Sequence, residues 1–295
     1  MVDIHQERYK SYADDQCWQY TIRQKNLDSD LLEANLSLEE ASRLRVHDFT
    51  FREVTDKSDR AEMIEFIKKH EWLGTITQYT THWFGAYYKG KLAGVILMSM
   101  PNAFSKLLGD NTKDLERLIS RGACVSWSPK NLASSLLMWS IRYMVENTDY
   151  RLFTAYSDPS AKELGTIYQA CSFYYLGQKS GTTTRYINPY TGKIVSDRYF
   201  RQRSAYKKYA KELGIEWEKD WCSTTKMLWD NIPDDIEEKL RKMSKEKQAT
   251  SQAVHYKPKH KYAFVLGKTK KETKELRAKF LSKVKTFDYP KVRGE

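Results

Sequence analysis

The chain has 295 residues, 40% of them apolar and 13% aromatic beside 30% charged, which is packing material for a real core and too much for a disordered chain. That length fits one well-packed domain plus an extension. Fifty Lys and Arg stand against 38 Asp and Glu, a formal charge of +12, which attracts polyanions such as nucleic acid, anionic membrane or acidic protein without choosing among them. Much of the excess lies in the Lys-rich stretch from Lys239 onward, which reads either as a basic face or as a solvated tail. No apolar run long enough to span a bilayer is present, and MVDIHQERYKSYADD lacks the apolar stretch of a signal peptide, so an intracellular protein with no membrane partner is expected. Cys17, Cys124, Cys171 and Cys222 have no paired short spacing, which argues against a zinc site or disulfide framework and for free thiols.

In chain order, LEANLSLEEASRLR is helix-prone, with Ser37 and Glu40 at the spacing of a capping box. HDFTFREV reads as a short strand, and SDRAEMIEFIKKHEW as a helix with Ser58 placed to cap it. HWFGAYY and KLAGVILMSM are β-rich runs joined by Lys89-Gly90, the signature of an antiparallel hairpin. LERLISRGACVSWS gives a further strand, NLASSLLMWSIRYMVENT a helix with an apolar face, and YRLFTAYSD another strand. PSAKELGTIYQACSF then reads as a helix and TTTRYIN as the last strand of the series.

Strand, helix, hairpin, strand, helix, strand, helix, strand is the order of the GNAT acetyltransferase fold, and AKELGTIYQACSFYYLG resembles the helix-to-strand element of that superfamily. The fold class expected is α/β (α+β), a mixed, mostly antiparallel sheet flanked by helices with a basic helical C-terminal extension. The domains expected are an N-terminal helical segment over 1–47, a catalytic core over 48–190, and the extension, with DNA contacts, over 191–295.

Four elements narrow the resemblance: Leu115-x-Arg117-Leu118, Asn131-x-x-Ser134, Tyr156-x-Asp158-Pro159 and Gly165-x-x-Tyr168-Gln169-Ala170. As a set, they resemble the Mom family of bacteriophage DNA-modification proteins, as does the tail segment KHKYAFVLGKTKKETKELRAKF. The resemblance implies transfer of an acetyl-derived, carbamoylmethyl-type group to the exocyclic amine of adenine in double-stranded DNA. It also implies acetyl-CoA as donor, protection of phage DNA from restriction enzymes, and a place in the cytoplasm of an infected bacterial host. Ordinary acetyl transfer would leave a different group, so an unusual step or a metal is open. Two alternatives stand beside it: an acyl- or aminoacyltransferase acting on another amine or a hypermodified base, and an inactive DNA-binding protein.

The candidate residues follow from the chemistry. A pyrophosphate suits backbone amides at a helix N-terminus, which SPKNLASS provides through Lys130, Asn131, Ala133 and Ser134. The loop departs from the Gly-rich form of the superfamily, and Asn131 is equally a helix cap. Arg117 and Arg121, on the preceding strand, can hold a phosphate or carboxylate in a fork or stand at a strand edge. Asp158, at a strand end, fits either a general base or an N-cap. Tyr168 matches the tyrosine that protonates the departing thiolate in acetyltransferases, and equally a core aromatic. Ser134 joins Tyr168, Asp158 and Arg117 in the catalytic set. For a flipped base, His70 to Tyr88 offers Trp72, Tyr79, His82 and Trp83, with core packing as the plain alternative. Alternation along the strand sends His82 and Trp83 to opposite faces. Arg198, Arg201, Arg203 and Lys207, interleaved with tyrosines, suit phosphate contacts or an ordinary amphipathic surface. The metal, if any, stays unknown, since His70 and His82 have no close ligand spacing around them.

Overall fold

The computed structural model describes residues 16–291 apart from 182 and 225. They fall into two compact units, one of residues up to 180 together with 258 onward, the other of residues 181–257.

In the larger unit, α1 (Trp18–Ala34) ends at Asn35, whose left-handed backbone (φ 55°) closes the helix. Ser37 then starts α2 (Leu38–Arg43) with the expected capping box, its Oγ accepting from the Glu40 amide while the Glu40 carboxylate accepts from the Ser37 amide. β1 (Thr50–Glu53) leads into α3 (Lys57–His70). That helix begins one residue before Ser58, with Asp56 at the cap position, so the expected Ser58 cap is not formed. β2 (Thr80–Tyr88) and β3 (Lys91–Ser99) form the hairpin, turning through Lys89 and Gly90, both at positive φ as a tight hairpin requires. β4 (Glu116–Cys124), α4 (Leu132–Asn147), β5 (Leu152–Ser157), the short α5 (Thr166–Ala170) and β6 (Tyr174–Ser180) follow.

With β10 (Lys259–Val265) added from the tail, the sheet order is β1-β2-β3-β4-β5-β10-β6, antiparallel throughout except for the parallel β4–β5 pair. This is the mixed, GNAT-like architecture expected from the sequence. Leu132, Leu136, Leu137, Ile141 and Met144 form the apolar stripe of α4, all fully buried in a core shared with Phe84, Ile96, Leu97 and Phe153. Burying five such side chains contributes on the order of 10 kcal/mol of transfer free energy.

The end of the series differs from the sequence reading. The helix expected from Pro159 onward shrinks to α5, because Gly165 (φ 67°) and Ser172 (φ 57°) turn the chain at its two ends. YYLG (174–177) is itself strand, inside β6, and the strand Thr184–Ile187 belongs to the other unit. The place beside β5 is taken by β10 (Lys259–Val265), which enters from the tail and pairs β5 from His260↔Ser157 to Val265↔Leu152. A strand in the middle of a sheet covered on both faces needs a continuous apolar run, and Tyr262-Ala263-Phe264-Val265, all buried, provides it. α8 (Lys270–Leu281) then packs Phe280 against Leu108, Leu152 and Val265, and the chain returns along β6 through the Tyr175↔Phe287 bridge.

The smaller unit has a three-stranded sheet, β8-β7-β9 (Ile194–Val195, Thr184–Ile187, Ala253–His255), and the helices α6 (Arg203–Glu212) and α7 (Asp234–Thr250). Its core gathers Tyr206, Tyr209, Ala205, Ala210 and Leu240. Among the described residues no helix is long and apolar enough to cross a membrane. Cys124, Cys171 and Cys222 are free thiols, the first two buried.

Candidate active site

The candidate site follows from how β4 is paired. On one side, β3 holds it from Leu118 to Cys124; on the other, β5 holds it only from Glu116 to Ile119. A register shift where Leu97 pairs Arg121 and Met98 pairs Ile119 leaves Ser120 as an extra residue, a bulge at the point where β5 is released. Beyond it a cavity of about 300 Å³ opens, lined by Ile119, Gly122 and Ala123 of β4 and by Tyr156 and Ser157 of β5. Ala133 and Leu137 of α4 border it, as do Glu163, Gly165 and Tyr168 around α5, Glu71 after α3, and Arg23 of α1. Two glycines keep the walls close. A Cβ on Gly122 would stand 2.7 Å from Ile96 Cδ1, and one on Gly165 would stand 2.5 Å from the Tyr262 ring.

The cavity meets the open end of α4. Asn131, at the cap position, is left-handed (φ 72°) and makes no side-chain cap bond, so it does not close the helix as a cap would. Leu132 and Ser135 donate to Pro129 O and Asn131 O, whereas the Ala133 and Ser134 amides have no partner among the described residues. Open amides at the positive end of a sixteen-residue helix suit an anion. Ser157 Oγ, buried in the cavity wall, also has no hydrogen-bond partner among the described residues.

Glu163, Glu71 and Tyr168 are among the ionisable groups that line this space. Burial pushes the Glu163 carboxyl up to about 7; the Asp158 amide counteracts this at 3.2 Å, while the charges of Glu71 and Asp158 reinforce it. Burial also raises Glu71, against the opposing charge of Arg121 and a bond from the Gly74 amide at 2.7 Å. Burial lifts the Tyr168 phenol well above its ordinary range, with Glu163 and Glu71 adding to the shift. Its ring packs on Phe173 and Tyr262, each at 5.3 Å between centroids.

A model of the Mom protein family matches residues 48–291. The chain belongs to the Mom protein family. A search of the curated proteins finds no match. Among solved structures, similar ones include a GNAT family acetyltransferase from Elizabethkingia anophelis with acetyl-CoA bound, at 12% identity over 74% of this chain and 99% of that one, TM-score 0.34. A putative acetyltransferase from Salmonella typhimurium with acetyl-CoA has 13% identity over 50% and 88%, TM-score 0.35. A probable acetyltransferase from Staphylococcus epidermidis has 12% identity over 46% and 90%, TM-score 0.34. The fold assignment rests on element order and strand pairing, not on these superpositions.

The Mom-like elements fall at both ends of β4. Tyr156, Gly165, Tyr168 and Ala133 reach the cavity. Ser134 sits in the same helical turn with its Oγ donating to Asn131 O at 3.0 Å, and Lys130 is exposed in the loop before it. Asp158 stands behind the cavity, accepting from the Ser160 amide at 2.9 Å as an N-cap and paired with Lys259 at 2.9 Å. Burial alone would raise this carboxyl, yet Lys259 and Ser160 hold it below its ordinary value. Arg121 is tied to Thr75 O at 2.6 Å and lies 4.0 Å from Glu71. Arg117 is at the other end of β4, its guanidinium 3.7 Å from the Tyr150 ring centre and bonded to the Tyr150 hydroxyl and Glu116 O.

The aromatic candidates do not converge. Trp72 is core, edge-on to Trp18 at 5.4 Å, and Trp83 is buried. His82 stacks over Phe84 at 6.5 Å on the opposite face of β2 from Trp83, and Tyr79 is exposed. In the smaller unit, Arg201 pairs with Asp197, Arg203 donates to Ser223 O at 3.1 Å, Lys207 lies 5.7 Å from the Trp217 ring, and Arg198 is exposed. His70 is held by Asp30 at 3.1 Å, away from His82, and no group of three metal-ligating side chains occurs among the described residues. Sequence reasoning missed Glu163, Glu71 and Arg23. Only Glu163 carried a signal, a lone carboxylate two residues before Gly165 in the family element.

Proposed function

We propose that this protein transfers an acetyl-derived group from an acyl-CoA donor to the exocyclic amine of adenine in DNA. The carrying observation is that the cavity left between β4 and β5 joins open helix amides to a carboxyl that titrates near neutrality and a protonated phenol. The Ala133 and Ser134 amides would receive the donor's pyrophosphate, with Gly122 letting the backbone come close. Glu163 accepts the proton that the amine loses as its nitrogen bonds to the acyl carbon. Tyr168 gives its proton to the sulfur as the carbon–sulfur bond breaks, since burial keeps the phenol protonated until a buried thiolate appears beside it. A carbamoylmethyl group differs from acetyl by one NH unit, so acyl transfer alone does not complete it.

DNA as the acceptor is supported by where the charge sits. Residues 1–180 carry 22 Lys and Arg against 23 Asp and Glu, whereas residues 258–295 alone carry twelve against four. On and after α8, Lys270, Lys271, Lys274, Lys279 and Lys283 are exposed, and no ion pair among the described residues involves them. Such a surface binds duplex DNA with an affinity that falls steeply with salt.

Nucleoside mass spectrometry of DNA from cells expressing the protein, beside Tyr168→Phe, tests the proposal. A heavier deoxyadenosine that is absent with the variant supports it, and its mass separates acetyl from carbamoylmethyl. A modified pyrimidine, or unmodified DNA from folded protein, refutes adenine as the acceptor.

A further inference from the structure

The helix α1 precedes the segment that the family model matches, yet it reaches the cavity. Arg23 lines the space, and one of its guanidinium nitrogens, Nη2, donates to Ser126 O at 3.0 Å, Ser128 O at 3.3 Å and Ser128 Oγ at 3.1 Å. These residues form the loop that carries β4 into α4. One helical face further on, Asp30 accepts from the Ser126 amide at 2.9 Å, and its own carbonyl accepts from Trp127 Nε1 at 3.1 Å. The helix is in turn anchored to α3: Asp30 meets His70 at 3.1 Å and Lys69 at 2.9 Å, and Asn26 donates to Lys69 O at 2.9 Å.

A guanidinium has five N–H donors in a planar fork. Only Nη2 has a hydrogen-bond partner among the described residues, which leaves Nε and Nη1, three donors, open on a side chain that lines the cavity. A charge held rigid on one side and open on the other is what an anionic ligand needs, since the ordering cost of the long side chain is already met by the loop bonds. The open Ala133 and Ser134 amides stand where the same loop runs into α4, and Ala133 lines the same cavity. Without Arg23, two backbone carbonyls would face that junction unneutralised.

We propose that Arg23 is part of the donor site, gripping the β4–α4 loop with Nη2 and presenting Nε and Nη1 to the pyrophosphate of the acyl-CoA. It follows that the helix before the matched segment is a wall of the transfer cavity. The inference rests on the acyl-CoA reading, and the test separates the two.

Binding is measured by titration calorimetry with CoA and, in parallel, with S-acetylpantetheine, which keeps the thioester arm and lacks the phosphates. Wild type, Arg23→Lys and Arg23→Gln are compared after thermal melts have shown each to be folded. The expected result is that Arg23→Gln weakens CoA about 10- to 100-fold, as loss of a charge-assisted fork does. Arg23→Lys, with the charge but not the fork, should fall between, and S-acetylpantetheine should bind all three alike. Equal weakening of both ligands would make Arg23 a loop support only and overturn the pyrophosphate contact. CoA affinity unchanged by the substitutions would overturn it as well. A wild type that binds S-acetylpantetheine but not CoA overturns this inference alone, whereas one that binds neither overturns the acyl-donor reading and this inference with it.

Discussion

The two ends of β4 show what strand pairing does for chemistry. At its start, residues Glu116–Ile119 are hydrogen-bonded to β3 or β5, and most polar groups there find partners: Glu116 accepts from Ser105 and Thr154, and Arg117, with only its Nε left over, is folded onto Tyr150. At its far end β5 has left, and the same strand borders a cavity with an orphaned hydroxyl, open amides and a carboxyl displaced towards neutrality. Closed pairing consumes donors and acceptors, whereas a parting sheet leaves them for a ligand. Side chains of similar type therefore have different roles at the two ends.

The sharpest way to break that comparison is Glu163→Gln at the open end. It is expected to lower the modification rate by about 10² to 10⁴, as loss of a general base does. Wild-type activity should rise as pH passes through about 7, the value to which burial lifts Glu163, and the variant should lose that rise in a pH series of single-turnover rates. Stability gives the opposite sign. A carboxyl raised in the folded state stabilises fully below its unfolded value, about 4.5, and that contribution is lost as pH rises through about 7. Glu163→Gln should accordingly raise the melting temperature at pH 8 more than at pH 5.

Gly165→Ala comes next. The new methyl would lie 2.5 Å from the Tyr262 ring at a backbone φ of 67°, and both effects push the same way. A loss of about 2–4 kcal/mol in urea unfolding is expected, with the cavity distorted in what remains folded. The smallest effect belongs to the closed end. Arg117→Ala removes the contact with Tyr150 and should cost roughly 1–2 kcal/mol of stability with CoA binding by calorimetry left within about twofold. A large loss of CoA binding there would show that the two ends are coupled.

Much of the frame was legible because it is local. The Lys89-Gly90 turn, the alternation of β2 and the apolar stripe of α4 each declare themselves within a few residues. Tyr168, Ala133 and the α4 N-terminus were reached through a pattern of nearby motifs, and the structure brings them to one cavity. What was not legible depends on partners far away in sequence. HKYAFVL in the tail gives no sign that it will stand between β5 and β6, since Tyr262 must find Ala155 across 107 residues. Glu163 is marked in AKELG only by its place two residues before Gly165, and its raised carboxyl follows from burial with Glu71 and Asp158 around it. Arg23 belongs to no motif, and its meaning comes from carbonyls more than a hundred positions away.

The central position of β10 has a consequence for synthesis. A ribosome delivers β5 and β6 well before the strand that must separate them, and the intervening unit of residues 181–257 has to be traversed first. Pairing over such a separation is slow and comes late. Lys259, which holds Asp158 behind the cavity, and Tyr262, whose ring packs on Tyr168, arrive with the same strand. Nascent or truncated chains without β10 thus lack these two contacts of the cavity, and the proposed transfer requires that strand to have emerged.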